Sequence, residues 1–319
     1  MIGFGPVPSR RLGKSLGINN IPAKICSYSC VYCQLGKATK KKIDRQAYYS
    51  PERILKEVRN KVDESKARDE EIDYLTFVPD GEPTLDINLG KEISLLRQIG
   101  IPIAALTNAS LIWESDVKNC LSNMDFVSLK VDTVSENLWR RINRPHKSLK
   151  IDEILDGIVE FSKKFRGITV TETMLIDVVD YADEFDKIAD FLAEVRLNKA
   201  YIAIPTRPPA EGWVKPAKEE LINKAFQTFA GKLGQEKVEY LIGYEGNAFA
   251  FTGNVEEDLL GITSVHPMRE EAVKEFLRKA EADWSVVWKM ITEGKMIELE
   301  YEKHRYYMRK IPSRTTFKF

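Results

Sequence analysis

Between residue 16 and about residue 205 the sequence alternates short apolar or β-branched runs with amphipathic stretches of helical period, and few architectures absorb such a chain. "SLGINN" at 15–20 reads as the first strand. Further strand runs lie at 72–78, 101–107, 125–132, 167–176 and 199–205, separated by helical patterns near 88–98, 114–121, 151–163 and 183–195. A helix also precedes the second strand: Ser50 suits its N-cap, Pro51 its first turn, and Ile54, Leu55, Val58 and Val62 share one face. The alternation predicts βα units around a parallel sheet. Six strands favour a partial (β/α)6 TIM-like barrel over a complete eight-stranded one, with an open doubly wound sheet as the competing arrangement.

In either architecture ligands are handled by loops at the C-terminal ends of strands. The unusual sequences fall there: a cysteine loop after the first strand, "PDGEPTL" after the second, "TNASL" after the third and "RINRPH" beyond the fourth. The coincidence predicts one shared site.

At 319 residues there is room for an appendage as well as a barrel. The division expected is a barrel with an N-terminal extension over 1–207, a proline-containing linker and connecting segment over 208–255, and a small winged-helix-like unit over 256–319. That unit shows helical patterns near 268–280 and 283–293, then a hairpin turning near Lys303. From Lys303 to the end there are six Lys or Arg residues and no acid, with Tyr306 and Tyr307 interleaved. This suits a nucleic-acid phosphate contact. It suits equally a packing or dimerisation module with a solvated charged edge. Across the chain 48 basic and 48 acidic residues cancel, so any nucleic-acid binding must be local. No apolar run is long enough to cross a bilayer and "MIGFGPVPSRRLG" lacks a signal-peptide core, which places the protein in the cytoplasm.

Three of the four cysteines crowd into "KICSYSCVYCQLG". In a cytosolic chain clustered thiols point to metal binding or catalysis rather than disulfides. Four thiolates close a zinc site or fill every iron of a four-iron cluster; three leave one iron open for a small chelating molecule. A zinc site would need a fourth ligand from His146, His266, His304, Cys120 or a carboxylate, and none stands at the short spacing zinc modules use. Cys120, in "SDVKNCLSNMDF", reads as a packed residue near a helix end.

The spacing of Cys26, Cys30 and Cys33, CxxxCxxC with Tyr32 before the last thiol, resembles the radical S-adenosylmethionine superfamily. The resemblance implies a [4Fe-4S] cluster on those cysteines and S-adenosylmethionine at the open iron, cleaved reductively to a 5′-deoxyadenosyl radical that abstracts hydrogen from a substrate. "FVPDGEPTL" is similar to that family's GGE motif, where backbone carbonyls and an acid hold the methionine amino group. Gly81 and Glu82 match; Asp80 replaces the first glycine. The pattern from "FGPVPSRRLGKSLGI" to "ITSVHPM" spans nearly the full chain and resembles Fe-S oxidoreductases distantly related to the tRNA wyosine-biosynthesis enzyme, 4-demethylwyosine synthase. That branch leaves the substrate open. The wyosine enzyme carries a second cluster on additional cysteines, and only Cys120 remains here. The departure argues against that particular reaction.

Further candidates come from strand periodicity. Ser128, Lys130 and Asp132 share one face of the fourth strand, to meet ribose or substrate or to form an internal salt link with an acid such as Glu82. Thr107 and Asn108 end the third strand and could meet ligand or make a plain turn. Thr169, Thr171 and Thr173 oppose Val170, Glu172 and Met174 on the fifth, with no sign of which set faces inward. Arg10, Arg11, Arg144 and Arg207 gather near the expected mouth, beside Arg140 and Arg141. Guanidinium forks favour an anionic substrate.

The basic tail and the distant relation point to RNA, with tRNA first, and to a reductant such as ferredoxin or flavodoxin. Two rivals stay open. One is a radical enzyme or activase acting on a protein or peptide; the other is an Fe-S redox sensor whose winged helix binds DNA.

Overall fold

The computed structural model describes residues 1–38, 40–181 and 183–310. Eight strands form one sheet in chain order: β1 (Gly3–Ser9), β2 (Gly13–Ile18), β3 (Tyr74–Phe77), β4 (Ile103–Thr107), β5 (Phe126–Lys130), β6 (Ile168–Met174), β7 (Lys199–Ala203) and β8 (Val238–Leu241). Only β1 runs antiparallel to its neighbour; β2 to β8 are parallel throughout. Because the order never reverses, every crossover steps the same way round, which right-handed connections turn into a barrel wall rather than a doubly wound sheet. The fold is a partial barrel. It holds the six expected strands, with β8 added at one edge and β1 at the other.

The helices are α1 (Pro51–Lys66), α2 (Leu89–Leu96), α3 (Ser115–Leu121), α4 (Glu136–Ile142), α5 (Ile151–Lys164), α6 (Glu184–Glu194) and α7 (Glu219–Leu233). In α1 the Ser50 hydroxyl accepts the Arg53 N–H, Pro51 opens the first turn, and Ile54, Val58 and Val62 are buried. That is the cap and apolar stripe the sequence implies. On β5, Val127 and Leu129 join the main core with Ile154 and Ile158 of α5, while Phe126 belongs to a smaller cluster with Leu12, Ala104, Val170, Tyr201 and Leu241. The two clusters are the two faces of the wall.

The chain then builds α8 (Val255–Val265), β9 (Met268–Arg269), α9 (Glu270–Lys279), α10 (Ser285–Thr292), β10 (Met296–Tyr301) and β11 (His304–Arg309), with the strands paired in the order β9, β11, β10. The hairpin turns at Glu302 and Lys303, both at positive φ. Phe4 and Val7 of β1 lie in this unit's apolar core beside Phe276 and Met290. Lys61 of α1 reaches Asp258 of α8 at 2.7 Å, both buried. The unit is fastened to the barrel.

Tyr306 and Tyr307, which the sequence offers as nucleic-acid contacts, are 1% and 2% exposed. Tyr306 donates to the Thr206 carbonyl at 2.8 Å; Tyr307 donates to Glu298 at 2.8 Å and meets the Trp284 ring edge-on. Both rings are committed to packing. Arg305 lies near Glu270 and Glu298, and the tail's Arg314 and Lys318 lie outside the described residues.

Candidate active site

A cavity of about 310 Å³ sits at the C-terminal ends of the strands, and Cys26, Cys30 and Cys33 all line it. The loop carrying them is held from both sides. Ile25–Cys26 pairs in parallel with Lys40–Lys41, and Ile25 also bridges Gly81. The Glu82 N–H donates to the Ile25 carbonyl at 3.1 Å. A side chain at Gly81 would overlap that carbonyl, so glycine here is a packing requirement.

Each of the first two sulfurs accepts N–H donors at 3.5 Å: Cys26 from the Tyr28 backbone and the Asn108 amide, Cys30 from the Asn143 amide. Burial pushes the Cys30 thiol up to about 12 and the Cys26 thiol well above its ordinary range, with Glu82 adding to the effect at Cys26. Buried thiols become thiolates only when a cation compensates them. Among the described residues no three His, Cys, Asp or Glu side chains draw together as a single-ion site.

Tyr32 lines the cavity and donates to Asp132; the Asn143 amide donates to the Tyr32 oxygen at 3.0 Å and to Asp132 at 2.6 Å. Asp132, expected to point inward, instead holds this anchor and stays off the cavity wall. The reason is register: β5 ends at Lys130, and beyond it the chain turns.

Glu82 is 1% exposed and lines the cavity. Its Oε1 accepts from Thr84 N–H (3.1 Å), Thr84 Oγ1 (2.7 Å) and Thr107 Oγ1 (2.6 Å); Oε2 accepts from Asn108 N–H (2.7 Å). Burial raises its carboxyl, and these hydrogen bonds oppose the rise. A carboxylate has about four acceptor sites, more than one of them on each oxygen, so Oε2 keeps capacity for one further donor. Gly81, Thr107 and Asn108 also line the cavity. Asp80 does not; its N–H donates to Asn19 at 2.9 Å and its carbonyl accepts from Lys24 N–H at 2.6 Å.

Ser128 and Lys130 face the cavity, and on β6 it is Glu172 and Met174 that face it. The internal salt link does exist, with a different acid: Lys130 meets Glu172 at 2.6 Å and Asp132 at 3.5 Å, and Glu172 also pairs with Arg11. Arg10, Arg11 and Arg207 line the cavity; Arg144 does not. Arg144 pairs with Glu211, and its carbonyl and that of Asn143 receive the Ser29 N–H of the cysteine loop. Arg140 and Arg141 bond Glu136 and the Val178 carbonyl instead. Cys120 lies on α3 against the main core.

Sequence reasoning missed Glu245, Gln34 and the placement of His266. Arg207 pairs with Glu245, contacts Gln34 at 3.0 Å and His266 Nε2 at 2.8 Å, while the Gln34 amide donates to the Val265 carbonyl at 2.8 Å. Burial lowers Arg207 to about 10 and, with Arg207 beside it, holds His266 well below the usual histidine range. Nothing in "YEGNAF" signals that Glu245 reaches the barrel mouth.

Residues 20–192 match the Radical SAM superfamily. The chain belongs to that superfamily. As a radical SAM enzyme it uses a [4Fe-4S] cluster and S-adenosylmethionine. It is 53% identical over 314 residues to UPF0026 protein MJ1312 of Methanocaldococcus jannaschii, covering 98% of this chain and 97% of that one. A radical SAM methyltransferase from Sphaerobacter thermophilus shares the fold at a TM-score of 0.54 and 14% identity, over 71% of this chain and 66% of its own. TYW1 with a lysine-pyruvate adduct bound does so at 0.50 and 16%, over 68% and 73%. The donor set fits the group: three half-buried sulfurs on one cavity, two of them already receiving N–H donors of the kind that surround cluster thiolates.

Proposed function

We propose that Cys26, Cys30 and Cys33 hold the cluster, that Gly81 and Glu82 receive the methionine end of S-adenosylmethionine, and that the substrate carries an anionic group. The observation that carries this reading is the single cavity on which three thiols, Glu82 and three arginines converge. When bound, the cluster and S-adenosylmethionine supply a reductive cleavage whose 5′-deoxyadenosyl radical abstracts hydrogen.

The chain's own residues do the positioning. Glu82 Oε2 has an acceptor site left for an ammonium group, and its other partners fix the loops after β3 and β4 against each other. Lys130 and Arg11, both clamped on Glu172, offer hydrogen-bond donors to ribose or substrate oxygens. Arg10 has Nε and Nη1 buried without a protein partner, which is costly unless an anion completes them. An RNA nucleotide extruded into the cavity is one substrate of that kind, and unmodified tRNA is the first polymer to test.

The C-terminal unit has the helix and strand order of a winged helix, and we read it as one. It supports this function by bracing the cavity through Tyr301 and Tyr306, which donate to the Pro205 and Thr206 carbonyls just beyond β7. No described helix is long and apolar enough to cross a membrane; reduced thiols suit a cytoplasmic setting.

The test is anaerobic. Iron and sulfide are restored, S-adenosylmethionine and dithionite are added, and 5′-deoxyadenosine is measured for wild type and Cys30→Ala. Formation by wild type alone is expected. An intact cluster that never cleaves the cofactor would overturn the enzyme reading in favour of a sensor.

A further inference from the structure

The cysteine loop has an outer edge that the chemistry of the cavity does not use. Lys40 and Lys41 form the short strand paired with Ile25–Cys26, and the Lys42 N–H donates to the Cys26 carbonyl at 3.0 Å. Three consecutive lysines are therefore fastened to the backbone of the first cysteine, one inter-strand spacing of about 5 Å away. Lys37, Lys40, Lys41 and Lys147 are exposed and Lys42 is partly so. Between 37 and 45 the chain has five basic residues against one acid, Asp44, although its overall charge is zero.

Arg45 is spent on the Thr84 and Asp86 carbonyls, at 2.9 and 3.0 Å, but the lysines carry few internal contacts. Lys37 meets Glu211 at 3.2 Å, and Lys41 donates to the Pro145 carbonyl at 3.0 Å. Among the described residues no carboxylate lies within ion-pair distance of Lys40, Lys41, Lys42 or Lys147. Lysines do guard exposed sheet edges against pairing, but a two-residue edge needs little guarding. The sidedness is more telling. Gly81 and the cavity lie on the inner edge of Ile25–Cys26, the lysines on its outer edge.

We propose that this lysine edge is the docking surface for an acidic one-electron carrier protein of flavin or iron–sulfur type. The inference rests on the cluster lying on Cys26, Cys30 and Cys33. One electron passes from the reduced carrier to the oxidised cluster; no proton or group moves, and the carrier leaves oxidised by one electron. A carrier seated there delivers past the Cys26 backbone and leaves the cavity free for cofactor and substrate. A substrate polyanion, by contrast, has to reach the arginines inside. Steering by such a patch raises encounter rates about tenfold to a thousandfold and fades with salt.

The experiment mixes reduced flavodoxin with the cluster-loaded protein in a stopped-flow cell and follows bleaching of the cluster absorbance across ionic strength. Wild type is compared with K40E/K41E/K42E and, off the paired strand, with K147E; dithionite reduction and iron content are measured in parallel. The expected result is a wild-type rate constant that falls with salt, a loss of about tenfold or more in the triple variant at low salt, convergence at high salt, and unchanged dithionite reduction. K147E should lose less, in the same direction. Equal, salt-independent rates in all three proteins with intact clusters would overturn the docking surface alone. Loss of tRNA retention by the triple variant with the flavodoxin rate unchanged would also overturn it and assign the edge to RNA. A wild-type chain that assembles no cluster would sink the function reading and this inference together.

Discussion

The tightest joint in the site is Gly81, and replacing it with alanine tests whether the DGE turn and the cysteine loop are one mechanical unit. The added Cβ would sit 2.8 Å from the Ile25 carbonyl carbon and 2.9 Å from Ile21 Cδ1, closer still to the carbonyl oxygen. The Ile21 tip can turn aside but the Ile25 carbonyl is backbone and cannot, so the Ile25–Cys26 strand has to back off by about 1 Å. That movement breaks the Glu82 N–H to Ile25 bond, at about 1–3 kcal/mol for a buried donor left unmade. It also carries Cys26 with it. A displacement of about 1 Å at a reacting constellation costs on the order of a hundredfold in rate. Gly81→Ala should therefore bind less iron on reconstitution and form 5′-deoxyadenosine about a hundredfold more slowly. The control is Gly231→Ala on α7, where a Cβ meets nothing within 4 Å and alanine should stabilise by about 1 kcal/mol. Wild-type iron content and rate in Gly81→Ala would refute the coupling.

Two other outcomes follow from charges in the structure. Glu92 is fully buried, and burial beside Asp86 pushes its carboxyl up to about 9. The folded chain thus keeps a proton that the unfolded chain releases near 4.5, so this group's contribution is complete below that pH and is lost as pH climbs toward 9. Glu92→Gln should flatten the decline and gain more than about 1 kcal/mol at pH 8 in urea unfolding; an unchanged slope would count against the buried proton. Arg10→Met should not destabilise the ligand-free protein and should raise its stability by about 1 kcal/mol, since it removes two unmet buried donors and gives up only a 3.7 Å approach to Glu245. Arg207→Met, which strands Glu245, should cost at least about 2 kcal/mol, and equal losses would show that Arg10 is not held in reserve.

The cysteine loop was legible because its signal is local: three thiols at close spacing mark a site in the sequence, and the fold brings all three onto one cavity. The α1 stripe was legible because a helix half in water must segregate its residues. Strand β6 shows where such reading stops. Thr169, Thr171 and Thr173 are buried, and Val170, Glu172 and Met174, which alternate with them, are buried or half-buried, so both faces of the barrel wall are covered and periodicity names two faces without ranking them. Glu172 was invisible for that reason. Arg144 sits close to the site in sequence, but its positive φ of 47° turns the chain away and its charge goes to Glu211. Tyr306 and Tyr307 misled because charge around a tyrosine says nothing about which side of a three-stranded sheet its ring takes.

The Gln34 amide, next to the third cysteine, is fastened to Val265, 231 residues further along the chain. Synthesis runs from the N-terminus, so all three cysteines leave the ribosome more than two hundred residues before Val265. This fastening of the cysteine loop can therefore form only once the C-terminal unit has been made.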